Sequence, residues 1–249
     1  MYSYPALRLV QTLSGELREP AALCVDDTTG NIWVVAAGNN KLFEYAHGGA
    51  TPIKIIKVAS YGTALSGCAI DATNGDVAVA IRGIAEDPGG VLVLKSGVRK
   101  PQLYFDRTQR LYAYFLAYDP KGNLFVDGIA HRPFVYDELP ANTKTFTNIN
   151  LEGAKVRAPG GVQYHAGNIA IADHKRGIIY RTSGATVTGS TTLKGSCNIE
   201  QFLVRGDKAV VASNCAGSSR ILVYNYPAGG SAIGQISGLS GTFGVAISY

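Results

Sequence analysis

Two Asp–His pairings carry the clearest acid–base pattern in this chain of 249 residues: Asp127 with His131, and Asp173 with its neighbour His174. A carboxylate beside an imidazole orients the ring and holds its charge while a proton is taken up or returned near neutral pH. Those four residues are therefore the candidate catalytic set, facing one another across neighbouring repeats. A second group is aromatic and basic. Arg110, Tyr112 and Tyr114, with Arg107 just before them, set guanidinium groups among flat rings, a platform suited to a sugar, a peptide or an aromatic ligand. Arg157 joins them as a candidate ligand-binding residue. Half of the wider cluster, which adds Tyr104, Phe105, Phe115 and Tyr118, is expected to be packing core. His47, His131, His165 and His174 show no ligand spacing such as His-x3-His, which argues against zinc. The chain has no Gly-x-Ser-x-Gly elbow and no glycine-rich phosphate loop.

These residues must be held by repeated elements. A short apolar run ending in a turn recurs six times, closing on Asp26, Asp71, Asp119, His165, Gly206 and Ser248, a period of about 44 residues. After each of the first five comes a turn containing Gly, Asn or Asp, then a second β-rich run such as Ile32-Trp33-Val34-Val35. A third run (Lys41-Leu42-Phe43-Glu44-Tyr45) and a fourth (Ile53-Lys54-Ile55-Ile56-Lys57-Val58) complete the unit. Four short strands per unit, without any 3.6-residue periodicity, predict an all-β, six-bladed β-propeller in one domain, 1–249. The expected blades are 21–58, 67–105, 113–149, 160–193, 201–236, and a sixth assembled from 243–249 and 2–12. Tyr2-Ser3-Tyr4-Pro5-Ala6 matches Tyr224-Asn225-Tyr226-Pro227-Ala228, so the two ends are expected to share that blade and close the ring. Its second strand has no residues. Either that strand lay upstream of Met1 in a longer chain or the blade has three strands, and an incomplete blade is an expected route to self-association.

The repeats resemble those of NHL-type and SMP-30/gluconolactonase-like propellers, through Ala-x-x-x-Asp…Gly-Asn-Ile-Trp-Val…Lys-Leu-Phe-Glu-Tyr-Ala-x-Gly-Gly over 22–49. Tyr-Pro-Ala-Gly-Gly (226–230) and Pro-Gly-Gly-Val-Gln-Tyr (159–164) are similar to segments of secreted bacterial propellers. The resemblance implies a ligand on the face that carries the inter-blade loops. A lactonase-like site there would hold Ca²⁺ or Mg²⁺ through oxygen ligands. Leu17-Arg18-Glu19-Pro20 is similar to the family's Glu-Gly-Pro, which makes Glu19 a candidate metal ligand with Asn198 and Glu200. The chain departs from the pattern where Asn-Gly or Asp-Gly would stand: it has Gly160-Gly161, Glu200-Gln201 and Thr242-Phe243.

Strand order also bears on the four cysteines. Cys197 and Cys215 fall in loops at the same end of one blade and are expected to form a disulfide, with four reduced thiols as the alternative. Cys24 and Cys68 lie one register apart in first strands and are expected to stay free and buried. Lys and Arg number 23 against 18 Asp and Glu, a net +5, and no basic run exceeds two residues. That scatter predicts no nucleic-acid partner. The uncharged stretch 221–249 is broken by Pro227 and repeated glycines, so no membrane span is expected. Met1-Tyr2-Ser3-Tyr4-Pro5 does not read as a leader. The expectation is an exported bacterial protein, extracellular or periplasmic, whose leader is absent from this chain. The functional reading is a binding or scaffold module without catalysis of its own, with a small molecule, a glycan or a protein as partner. No cofactor is expected, Ca²⁺ being possible; the alternative is a metal-dependent lactonase- or esterase-type hydrolase.

Overall fold

A computed structural model of the chain describes residues 1–58, 64–83, 89–98, 100–106, 111–130, 134–215 and 217–248. They form five antiparallel sheets of four strands, each made by a contiguous stretch of chain. Blade one is Pro20–Val25, Ile32–Ala36, Lys41–Tyr45 and Pro52–Lys57; blade two is Ala64–Ile70, Val77–Arg82, Gly90–Leu94 and Gln102–Phe105. Blade three is Tyr112–Tyr118, Leu124–Ile129, Val135–Leu139 and Thr147–Asn148. Blade four is Pro159–His165, Asn168–Asp173, Ile178–Ser183 and Thr186–Lys194, with Gly230–Ser231 added in parallel at its outer edge. Blade five is Asn198–Arg205, Lys208–Cys215, Ser218–Asn225 and Gly234–Leu239. The first strands of blades one to five pack side by side in series, so these five strands surround the axis.

The turns follow from residue chemistry. Asp26, Asp71 and Asp119 each end a first strand and accept the amide two residues on, from Thr28, Thr73 and Lys121. Gly30, Gly75 and Gly122 then supply the positive φ that brings the chain back. Every first strand also carries a β-bulge at the same height, where two residues face one on the second strand. The bulge residues are Ala21, Ser66-Gly67, Tyr114, Gly160-Gly161 and Glu200-Gln201. A bulge bends its strand and re-aims the side chain it carries.

The blades pack closely at this level. A Cβ on Gly67 would stand 2.6 Å from the Tyr114 carbonyl oxygen and 2.8 Å from Phe115 Cα, both backbone of the next blade. Glutamines bridge other gaps. Gln163 accepts the Val204 amide and donates to its carbonyl, while Gln201 does the same with Leu23 and also accepts the Val245 amide.

The expected sixth blade requires correction: the described residues form five blades, not six. Residues 242–248 do lie between the first strands of blades five and one, with Gly244 against Ala22 and Leu23, and Thr242 bonded to the Ser213 carbonyl. They form no strand, and 244–248 remain half-buried. Residues 1–11 make a separate hairpin with one bridge, Tyr2 to Leu9. Its Met1 packs with Leu13 and Leu17 against Val34, Phe43 and Tyr45 of blade one.

Both pairs of cysteines are bonded. Asn198 pairs with Asn214, so the next rung brings Cys197 to Cys215, with Cα atoms 5.1 Å apart. Cys24 and Cys68, expected as free thiols, form the second disulfide at a Cα separation of 5.7 Å. Equivalent residues of two neighbouring blades point the same way around the ring and cannot meet. A one-residue offset turns one side chain onto the opposite face of its sheet, and that offset aims Cys68 back at Cys24.

Thiol titration of the denatured, unreduced chain should detect no free thiol, and four after reduction; two before reduction would contradict the Cys24–Cys68 bond. Breaking that bond alone, in Cys24→Ser with Cys68→Ser, should cost about 4 kcal/mol by loop-closure entropy. Gly67→Ala should lose about 1–3 kcal/mol in urea unfolding, because the obstructing atoms are backbone.

Candidate functional site

Where a bulge residue is large, the bend delivers its side chain to the end of the axis that carries the inter-blade loops. Tyr114 comes from blade three and Glu200 from blade five. Arg82, the last residue of blade two's second strand, lays its guanidinium over the Tyr114 ring at 4.3 Å. Its Nε is buried without a hydrogen-bond partner, and among the described residues no carboxylate forms an ion pair with it. Blades two and five face each other across the ring, and the Arg82 charge acts on Glu200.

Glu200 is held from three sides. His174, in the loop between the second and third strands of blade four, places Nδ1 3.8 Å from Glu200 Oε2. The same Nδ1 lies 3.0 Å from the Ile199 carbonyl oxygen, an atom that only accepts, so Nδ1 carries a proton and donates to it. Asn214 hydrogen-bonds Glu200 and accepts from the Ser219 hydroxyl at 2.9 Å, and Ser219 in turn accepts the Gly241 amide. Burial pushes the Glu200 carboxyl above the ordinary glutamate range; the charges of His174 and Arg82 and the Asn214 hydrogen bond pull in the opposite direction without cancelling it.

The other expected residues are placed differently. Asp127 is fully buried at a position where the equivalent residues are Val35, Ala80, Ala172 and Ala212. Its Oδ1 accepts the Phe115 amide at 2.9 Å, the Gly160 amide also donates to the carboxyl, and Oδ2 has no partner. Burial drives its pKa well above the ordinary value, against those two amides. Asp173, also fully buried, accepts the amides of Arg157 and Lys175 at 3.0 and 3.1 Å, with Arg176 Nε at 3.8 Å. Both carboxyls thus brace backbone, and His174 faces Glu200 while its neighbour Asp173 serves these amides. His131, Arg107 and Arg110 lie outside the described residues.

Tyr112 is half-buried opposite Ile129, and Arg157 is exposed apart from its amide bond to Asp173. Glu19, at φ 48°, is exposed with its side chain beside Gly38, and Asn198 is exposed opposite Asn214. Among the described residues no three His, Cys, Asp or Glu side chains converge as a metal-binding group. A cleft of about 170 Å³ on the opposite face, between blades two and three, is lined by Asp71, Asp76, Lys95, Tyr104, Tyr118 and Lys121. Its Asp71 is committed to its own turn through Thr73 and Asn74. Arg82 was not among the residues singled out from the sequence; its pairing with Tyr114 follows from the bulge, which has no common residue signature.

Antiparallel blades arranged around an axis, with first strands innermost, define a β-propeller. Solved structures agree on that class. The chain is similar to a chain of a nidogen/laminin complex (13% identity, TM-score 0.64, covering 84% of this chain and 76% of the other). It is similar to a streptogramin B lyase (15%, 0.59, 87% and 72%) and to a luciferin-regenerating enzyme (13%, 0.56, 78% and 83%). No protein-family model and no curated protein sequence matches it.

Asp127 generates a pH prediction. The folded carboxyl keeps its proton at pH values where an unfolded aspartate, near about 3.9, has released it. The folded chain therefore binds more protons in that window, and stability is full below the ordinary aspartate range and falls as pH rises toward the folded pKa. Asp127→Asn, which stays neutral, should flatten this decline in melts from acid to neutral pH, while Asp127→Ala should lose stability at every pH by orphaning two amides. An unchanged slope in Asp127→Asn would refute the assignment.

Proposed function

We propose that this protein is an exported β-propeller binding module whose ligand sits at the axis, on the face carrying the inter-blade loops. The observation that carries this reading is the convergence of Arg82, Tyr114, His174 and Glu200, brought from blades two, three, four and five. A stacked guanidinium, a buried carboxyl and an imidazole fix a ligand's orientation by hydrogen bonds within a half-buried setting, the usual anatomy of a small-molecule site. The carboxyls of Asp127 and Asp173 are engaged by backbone amides, which weighs against the two Asp–His pairs as a proton-transfer device.

Propellers of similar fold include a chain of a nidogen/laminin complex and a streptogramin B lyase, so fold alone does not choose between binding and catalysis. Export is supported by the two disulfides, which suit an oxidising compartment. Among the described residues no helix is long and apolar enough to cross a membrane.

The test pairs a thermal-shift screen of monosaccharides, short peptides and small organic acids with assays of lactone and ester hydrolysis, with and without Ca²⁺. A ligand at a hundred times its Kd adds about 2.7 kcal/mol, a shift of several degrees that Tyr114→Ala should abolish. Metal-dependent turnover would overturn the binding reading in favour of a hydrolase.

A further inference from the structure

We infer that this protein docks on an anionic lipid surface through the outer rim between blades five and one, independently of the axial site. The hairpin of residues 1–11 stands in that gap. Its Met1 packs on the Val34, Phe43 and Tyr45 face of blade one. Its Leu7 lies against blade five, with Cδ1 3.0 Å from where a Cβ on Gly234 would stand. Of the nine large apolar side chains exposed among the described residues, six belong to this rim. Tyr2, Tyr4, Leu9 and Val10 are on the hairpin, the last two at 62% and 67% exposure. Ile55 pairs with the buried Phe43, so it is exposed on the face of blade one where Met1 packs, and Ile233 is exposed beside Gly234 on blade five. Apolar side chains gathered in water on one side of a molecule mark a docking surface.

Charge selects the occupant. The stretches 1–15, 48–58 and 221–248 that build this rim hold three cations, Arg8, Lys54 and Lys57, and no Asp or Glu. All three are exposed, and Lys57 follows Ile55 by two residues, on the same face of the strand. Glu16, the first acid after the hairpin, is taken up by Lys41 at 2.8 Å. A second copy of the chain would set these cations against their own equivalents, with no carboxylate to meet them. A tight protein partner calls for a desolvated pocket around each anchor, whereas a hairpin with the one bridge Tyr2 to Leu9 presents exposed side chains. A bilayer needs no matched shape. Leu and Val side chains enter the acyl boundary, tyrosine rings settle at headgroup level, and the cations meet anionic lipid. The protein then lies on the membrane without crossing it.

The experiment is co-sedimentation of the full chain with vesicles of phosphatidylcholine alone and of phosphatidylcholine mixed with phosphatidylglycerol. The mixed vesicles should bind about tenfold or more tighter, and raised salt should weaken that binding. Arg8→Gln should weaken it about fivefold, the scale of one basic residue at an anionic surface. Leu9→Ser with Val10→Ser should weaken it about tenfold or more by removing the inserted apolar groups. Tyr114→Ala, at the axis, should leave it unchanged. The lipid and salt comparisons use the unmodified chain, so they stand even where a variant melts early. Equal binding to both vesicles, binding to neither, or full binding by the Leu9/Val10 double variant would overturn the inference. So would a vesicle-free dimer in sedimentation velocity that the double variant abolishes, since the rim would then be covered by a second copy.

Discussion

Crowding where the blades meet governs this molecule. Strands that fan outward have room for side chains between sheets, but the first strands converge on one axis and their backbones come nearly into contact. At Gly67, Gly161 and Gly244 an added Cβ would fall within 3.0 Å of the neighbouring segment. These three positions sit against blades three, five and one. Elsewhere the gap is wider, and Gln163 and Gln201 fill it with amides that substitute for strand pairing. The chain accommodates the convergence by inserting one extra residue in every first strand, at the same height in all five blades.

That accommodation has chemical by-products. A bulge breaks the ladder and leaves amides that need acceptors. Between blades three and four the acceptor is the carboxyl of Asp127, which is why a charged residue type occupies a position filled by alanine or valine in the other blades. A bulge also turns a side chain toward the axis. Small residues at Ala21, Ser66-Gly67 and Gly160-Gly161 leave space there, and Tyr114 and Glu200 occupy it. The candidate site is thus made by the device that lets the blades pack, and its polar groups come from strands more than from flexible loops.

Much of the architecture was legible in the sequence because it is local. The Asp26, Asp71 and Asp119 turns and the β-branched runs after them announce themselves over a few residues, and their period gives the propeller. The bulges were not legible, since no residue type marks them. Cys24 and Cys68 show the cost of that gap: a one-register offset reads as divergence on a flat sheet, but between stacked blades it is the condition for meeting. The sixth blade is missing because strand-like sequences at both ends, 243–249 and 2–12, do not pair with each other: residues 1–11 fold back on themselves, and a strand needs a partner. At the site, Tyr114, His174 and Glu200 stood out in the sequence by residue type, but Arg82 did not, and the contacts among the four span blades two to five and leave no trace in spacing.

The Cys24–Cys68 bond also changes the connectivity of the polymer. It joins the first strands of blades one and two, so the whole of blade one beyond Cys24 lies inside a covalent loop. A protease that cuts one peptide bond within that loop, at the 46–51 turn for example, releases no fragment: the two sides remain one molecule while oxidised. The new ends cannot diffuse apart, and the cut blade re-pairs as an intramolecular event. For backbone scission in an oxidising environment, blade one behaves as a closed ring, and the stretches between Cys68 and Cys197 behave as an open line.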